Sequence, residues 1–321
     1  MNSAIVIILF FLLGLALTIK GGDFFVDAAS WIAEVSGIPK FLIGATIVSL
    51  ATTMPELLVS LMASASGSIG IAVGNAVGSV TANIGLIMGI SVVCLASAID
   101  RKQQGLKLAM MAGAIALLFA FSAPGSLSIV GSVILLAMFL YYMVESVVSA
   151  RRAMRQDDGG DRPAADRRAV AVNIVKFVAG VAGIVIGARL MVDYGTKLAQ
   201  LLGVPDSIIG ATLVAVGTSL PELVTTITAL VKKQASLSIG NIVGANIIDL
   251  TLILPLCSVV SGKALPILRQ NIALDMPFCL GLSLMAVLPP LITGRFHKWQ
   301  GAAMLAVYAV YVVLLCTGVG V

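Results

Sequence analysis

Charge is scarce in this chain, and so are the residues that most soluble chemistry needs. Only 11% of the 321 residues are Asp, Glu, Lys or Arg, against roughly 25% in soluble domains, which excludes a water-solvated globule. A single histidine, His297, sits in a short basic loop, so neither a Ser-His-Asp triad nor a histidine metal centre is available inside the apolar region. The four cysteines, Cys94, Cys257, Cys279 and Cys316, are scattered through apolar runs. They have no CxxC or histidine-linked spacing, so neither zinc nor a disulfide framework is indicated. Aromatics make up 6%, and no basic stripe interleaves with them, so nucleic acid is not an expected partner. No basic residue precedes the first apolar run, Ile5 to Thr18, and no small-residue cleavage site follows it. A retained helix is expected there, not a signal peptide.

What is abundant is apolar surface. Hydrophobic residues make up 59% of the chain and the mean hydropathy is +1.09, values that suit lipid as the solvent. Runs of about 20 apolar residues, each able to cross a hydrocarbon core of about 30 Å, recur near 3–19, 39–66, 70–97, 106–123 and 126–149. They resume near 169–191, 204–230, 236–260, 272–292 and 299–318. The expected fold is therefore an all-α polytopic membrane protein with ten transmembrane helices. Two five-helix units, 1–150 and 169–321, are joined by a polar linker, 151–168, that mixes Gly, Pro and both signs of charge and cannot bury a core.

Six arginines lie in that linker, and cytoplasmic loops hold the excess of Lys and Arg. Placing the linker in the cytoplasm also puts Lys20, Arg101, Lys102, Lys107, Lys232, Lys233, Arg295 and Lys298 in or beside cytoplasmic loops. Arg189, Lys197, Lys263 and Arg269 then fall outside, and both termini are external. The stretch 21–35, with Asp23, Asp27, Trp31 and Glu34, is expected to lie along the cytoplasmic interface. Glu145 and Asp275, near helix ends, are expected to be interfacial. The methionines fall at no ligand spacing and are read as lipid-facing or core fillers.

The two units carry one motif twice. Residues 43–90 align with 209–256 without a gap, at an offset of 166 (209 − 43), and 16 of 48 positions are identical. The identities include Thr52 with Thr218, Pro55 with Pro221, Glu56 with Glu222, and Asn75 with Asn241. Five spans is an odd number, so the second copy is expected to be inverted, the arrangement of transporters with a midplane site.

Each copy breaks its helix in mid-span, at Thr52-Thr53-Met54-Pro55 and Thr218-Ser219-Leu220-Pro221, because proline removes a backbone donor and clashes with the preceding turn. Unwound backbone at membrane depth is tolerated only against protein or a water-filled cavity, so freed carbonyls and hydroxyls become available to a cation. Those hydroxyls would equally serve to satisfy the kinked backbone. The glutamate after each break decides between the two, since a carboxylate at the bilayer centre costs about 2.5–3.5 kcal/mol and needs a cation or a proton. On the following helices, Gly70, Gly74 and Gly78 form a small-residue ladder that Gly240 and Gly244 repeat, a pattern that favours close helix approach. Ser79 and Asn83 share a face there, and Ala245 and Asp249 are their counterparts. Oxygen ligands without nitrogen or sulfur select a hard cation such as Ca²⁺ or Na⁺. Asn75 and Asn241 are read as packing and helix-end residues.

The paired G-T-x-x-P-E-L and G-N-x-x-G-S/A-N-x-x-N/D motifs resemble the α-repeats of the cation/calcium exchanger superfamily, most closely the prokaryotic type of sodium/calcium exchanger. The resemblance spans essentially the full chain. It implies ten helices in inverted 5+5 repeats and an antiporter, not an enzyme, exchanging Na⁺ for Ca²⁺ by alternating access, with the lipid bilayer as its surroundings and no cofactor. Carried over by position, it makes Glu56 and Glu222 the central ligands, with Thr52, Thr53, Thr218 and Ser219 around them. Ser79 would ligate a flanking Na⁺, Asn83 and Asp249 would line the centre, and the carbonyls of Ser49 and Ala215 would border the outer sites. Asp249 would spend part of the cycle protonated. A compact exchanger of this type fits a prokaryotic cytoplasmic membrane.

Three departures stand out: Ala245 replaces a hydroxyl, the first break reads Leu-Ala-Thr-Thr where the family more often has Gly-Thr-Ser, and Asn246 pairs with Val80. They leave the counter-ion open between Na⁺, H⁺ and K⁺. A passive cation channel is the alternative of a different class, and an intramembrane acid–base enzyme finds no nucleophile here.

Overall fold

The computed structural model describes residues 2–95, 98–156, 166–202 and 217–317. Almost all of this is helix: α1 Asn2–Ser36, α2 Lys40–Thr52, α3 Met54–Ala65, α4 Ile69–Cys94, α5 Arg101–Ser122, α6 Ile129–Gln156, α7 Arg167–Leu201. The chain continues with α8 Leu220–Val231, α9 Ala235–Ser261, α10 Asn271–Thr293 and α11 Lys298–Thr317. Among the described residues eight helices are long and apolar enough to cross a membrane, or nine if the bent pair α2–α3 counts as one span. Of the expected span 204–230, only the part from Gly217 onward lies within the described residues.

Lipid, not water, is the solvent of the outer surface. Large apolar side chains stand exposed along α1, α6 and α7, among them Leu9, Val130, Val144 and Val175, while α4 and α9 are the most enclosed helices. Those two form the centre of the molecule, and their buried faces share one apolar cluster with α5 and α10. A Cβ on Gly240 of α9 would collide with the Phe41 carbonyl of α2, so glycine there permits the backbones of the two halves to touch. The ladder of the first copy behaves differently. Among the described residues nothing lies within 4 Å of a Cβ built on Gly74 or Gly78.

At the periphery α1 packs along α7. A Cβ on Gly180 would sit 2.7 Å from the Phe25 amide, and Gly14 and Gly21 face α7 as closely. The interfacial stretch expected over 21–35 is corrected here: it is the second half of α1. Phe25, Val26, Ala29 and Ala33 are buried in a cluster with Ile184 and Ala229. The acids that make the stretch amphipathic are taken up by ion pairs, Asp27 with Lys232 at 2.7 Å and Glu34 with Lys40 at 2.9 Å.

Two further expectations fail for the same reason, a partner contributed by another helix. Lys107 lies fully buried in α5, not beside a loop, and pairs with Glu145 of α6, to which Ser149 also donates. Asp275 is buried as well, held by Asn271 and Tyr311. The polar linker also starts late and ends early, since α6 runs to Gln156 and α7 begins at Arg167; residues 157–165 lie outside the described residues.

A short antiparallel pair, β1 Ser126–Leu127 with β2 Leu265–Pro266, ties the α5–α6 turn to the α9–α10 turn. On the other loops, Ala98 bridges to Arg295 and the Ile99 amide donates to the Gly294 carbonyl at 2.9 Å.

Candidate ion-binding site

The duplicated motif produces the same local structure twice. Thr53 (φ −81°, ψ 0°) interrupts the first span and Ser219 (φ −85°, ψ 7°) occupies the same conformation before α8. Pro55 and Pro221 sit in the first turn of α3 and α8, where a missing N–H costs nothing, and the first break bends its span by 44°. The turns that end α3 and α8 also match: Gly67 has φ +81° and its counterpart Lys233 has φ +57°. A lysine in the left-handed region is strained, so that turn is imposed by the helices it joins.

Each break delivers a glutamate into the first turn of a helix, where the N-terminal end of the dipole favours negative charge. Glu56 is 1% exposed and Glu222 0%. Among the described residues none of their four carboxylate oxygens has a hydrogen-bond partner. Asp249 of α9 is equally buried, both its oxygens are equally unpartnered among the described residues, and the three acids lie within electrostatic reach of one another. Asp249 opens a π-helical turn, Asp249–Ile253, and Asn83 of α4 opens the matching one, Asn83–Met88. Such turns shift the helical register locally and cluster at functional sites.

The hydroxyls and amides of the same segments are engaged unevenly. Among the described residues the buried hydroxyls of Ser79, Thr218 and Ser219 and the Asn83 Oδ1 have no hydrogen-bond partner. The Asn83 amide donates to Asn246 Oδ1 at 3.1 Å, and Asn246 in turn reaches the Met111 sulfur at 3.3 Å. Thr53 donates to the Ser49 carbonyl at 2.6 Å. That carbonyl also accepts the Thr53 amide, so it is engaged within its own helix; Ala215 lies outside the described residues. Thr52 lies beside Glu222 but donates to Asn241 Oδ1 at 3.1 Å.

Three buried acids with no basic partner among the described ion pairs carry a large desolvation cost that only a bound positive charge offsets. No three His, Cys, Asp or Glu side chains among the described residues are grouped tightly enough to hold a metal by themselves. A cation here would therefore need hydroxyl, amide and carbonyl oxygens as well, the ligand chemistry of a hard ion.

The family model described as "Sodium/calcium exchanger protein" matches residues 6–148 and 172–317. The chain belongs to the sodium/calcium exchanger family. It is an integral membrane protein, and it is 31% identical to the sodium/calcium exchanger MaX1 of Methanosarcina acetivorans over 96% of this chain and 97% of that one. The inner membrane protein YrbG of Escherichia coli is 33% identical over 78% of each chain. The solved structure of the sodium-calcium exchanger NCX_Mj superposes with a TM-score of 0.84 at 31% identity, covering 97% of this chain and 99% of that one.

In this exchanger two residues that sequence reasoning set aside stand at the site. Asn241 accepts from Thr52 across the two halves, and among the described residues its own Nδ2 is buried without a partner. Asn75 donates to the Glu56 carbonyl at 3.3 Å and to Ser60 at 3.0 Å. The signal was present: the two asparagines form one of the identical pairs of the repeat, and a polar side chain inside an apolar helix usually has a hydrogen-bond partner.

Proposed function

We infer that Glu56, Glu222 and Asp249, with Thr52, Thr53, Ser79, Asn83, Thr218 and Ser219, form the ion-binding centre of this Na⁺/Ca²⁺ antiporter. One observation carries the reading: six carboxylate oxygens of three fully buried acids lack a hydrogen-bond partner among the described residues. Ca²⁺ held by Glu56, Glu222 and neighbouring oxygens leaves a nearly neutral complex. Na⁺ at the same carboxylates and the flanking hydroxyls displaces it, and mutual exclusion couples the two fluxes. Ala245 stands where the first copy has Ser79, so the flanking site of the second half has one hydroxyl fewer.

The same reading takes 1–150 and 169–321 as two inverted five-helix halves, ten spans in all, with 151–168 and its arginines in the cytoplasm and both termini external. The matching breaks and π-helical turns support the duplication, and the arginine-rich linker supports the orientation. A prokaryotic cytoplasmic membrane fits a compact chain of this kind. Alternating access would come from α1 and α7 moving as a pair over the remaining helices. The two helices are held to each other by close glycine approaches at Gly14, Gly21, Gly180 and Gly187 and by the ring pairs Phe10–Tyr194 and Phe25–Phe177, so they would travel as one unit.

The test is ⁴⁵Ca²⁺ uptake into proteoliposomes with an outward gradient of Na⁺, then of H⁺ or K⁺, for wild type and Glu222→Gln. Uptake driven by Na⁺ and abolished by the substitution is expected. Uptake driven by H⁺ or K⁺ alone would keep the site and change the counter-ion. Conductance without coupling would make the protein a channel.

A further inference from the structure

The fourth and fifth helices of each five-helix half are clasped by one buried polar contact, and the two clasps occupy nearly equivalent positions. In the first half Lys107 of α5 pairs with Glu145 of α6. In the second, Asp275 of α10 meets Tyr311 of α11, and Tyr311 stands where Glu145 stands, at the repeat offset of 166 (311 − 145). The chemistry differs. Asp275 is 4% exposed; its Oδ1 accepts from the Tyr311 hydroxyl at 3.0 Å and its Oδ2 from the Asn271 amide at 2.7 Å, with the Gln270 side chain also beside it. No ion pair among the described residues includes it. The first clasp contains its own counter-ion, and among the described residues no cation serves the second.

A metal ion does not fit that position. Its neighbours present N–H and O–H donors to both oxygens, whereas a hard cation needs several oxygens converging on it. A proton does fit. The tyrosine hydroxyl donates to the ionised carboxylate and accepts from the protonated acid, so the same hydrogen bond survives when H⁺ joins Asp275. We propose that Asp275 is a proton-binding site of this exchanger, distinct from the cation ligands, whose occupancy tunes the affinity of the ion site through space.

The route for that influence is short. One turn along α10, buried Cys279 lies within reach of both Asp275 and Asp249 and against Thr81 of α4. The titratable groups facing this region are Cys279 on the same helix, Tyr308 and Tyr311 from α11, and Asp249 from α9. None of them brings positive charge. In a low-dielectric interior a negative charge on Asp275 is weakly screened, so losing its proton adds attraction for cations at the centre. The proton site stands on its own geometry, and only its effect on affinity rests on Asp249 being part of the ion site.

Two measurements test this. Infrared difference spectra of the lipid-reconstituted protein between acid and alkaline pH should show a buried carboxylic-acid band that titrates in wild type and is absent in Asp275→Asn; a band unchanged by the substitution overturns the proton site. Tyr311→Phe removes a donor to the ionised form, so the midpoint of that band should move to higher pH, and an unmoved midpoint also overturns it. In Na⁺-driven uptake, wild type and Asp275→Asn should have similar Ca²⁺ half-saturation at acid pH. On the alkaline side wild type should bind on the order of tenfold more tightly. Equal affinities at both extremes overturn the coupling. A titrating band together with no uptake in wild type would support the proton site and sink the transport reading instead.

Discussion

Thr52 and Asn241 are 189 residues apart in the chain, and the Thr52 hydroxyl donates to the Asn241 side-chain oxygen at 3.1 Å in a buried setting. The contact joins the broken span of the first motif to the central helix of the second. It also holds Thr52 beside Glu222, so a ligand group of one half is positioned by an amide of the other.

Removing that amide should disturb ion binding without removing a carboxylate. Asn241→Ala is expected to lower Na⁺-driven Ca²⁺ uptake by about tenfold and to destabilise the protein by about 0.5–1.5 kcal/mol, the worth of one hydrogen bond, since the Thr52 hydroxyl keeps the Ser49 carbonyl at 3.3 Å. Thr52→Val combined with it should add little, because the two side chains act as one unit. Uptake and thermal unfolding of the two single variants and the double variant decide this, and strictly additive losses would show that the contact is not used.

The clasp between Lys107 and Glu145 should respond less to a double change than to a single one. Lys107→Met leaves a largely buried carboxylate without its counter-ion, which costs about 3–5 kcal/mol. Lys107→Met with Glu145→Met should recover most of that loss, since a buried pair replaced by apolar side chains is often neutral or better. Denaturation midpoints in one detergent give the comparison. A double variant as unstable as the single would mean that the lysine contributes through packing, not charge.

Sliding of α1 can be stopped covalently. A Cβ on Gly22 of α1 would lie 3.7 Å from the Thr228 Cβ of α8, inside the range that a disulfide spans. Gly22→Cys with Thr228→Cys, after the exposed Cys94 and Cys316 are replaced by serine, should crosslink under oxidation, abolish exchange and regain it on reduction. Full transport by the oxidised protein would exclude movement of α1 against α8.

Much of this protein is decided by its residues taken in order. The near absence of charge selects lipid as solvent, the duplicated Pro-Glu pairs set two breaks each followed by an acid, and the equivalence of Asn83 and Asp249 foreshadows two matching π-helical turns. These are local properties: hydropathy, proline sterics and identity at a constant offset do not depend on which helices become neighbours. Tertiary structure alone decided the rest. Lys107 reads as a loop residue until Glu145 reaches it from α6, the acids of 21–35 read as interfacial until Lys232 and Lys40 pair with them, and Asn241 reads as packing until Thr52 arrives from the other half. For Lys107 and Asn241 a polar side chain too costly to bury alone becomes an interior residue because a distant segment supplies its partner, whereas the acids of 21–35 stay half exposed and are paired at the surface; nothing along the chain specifies these meetings before the helices pack.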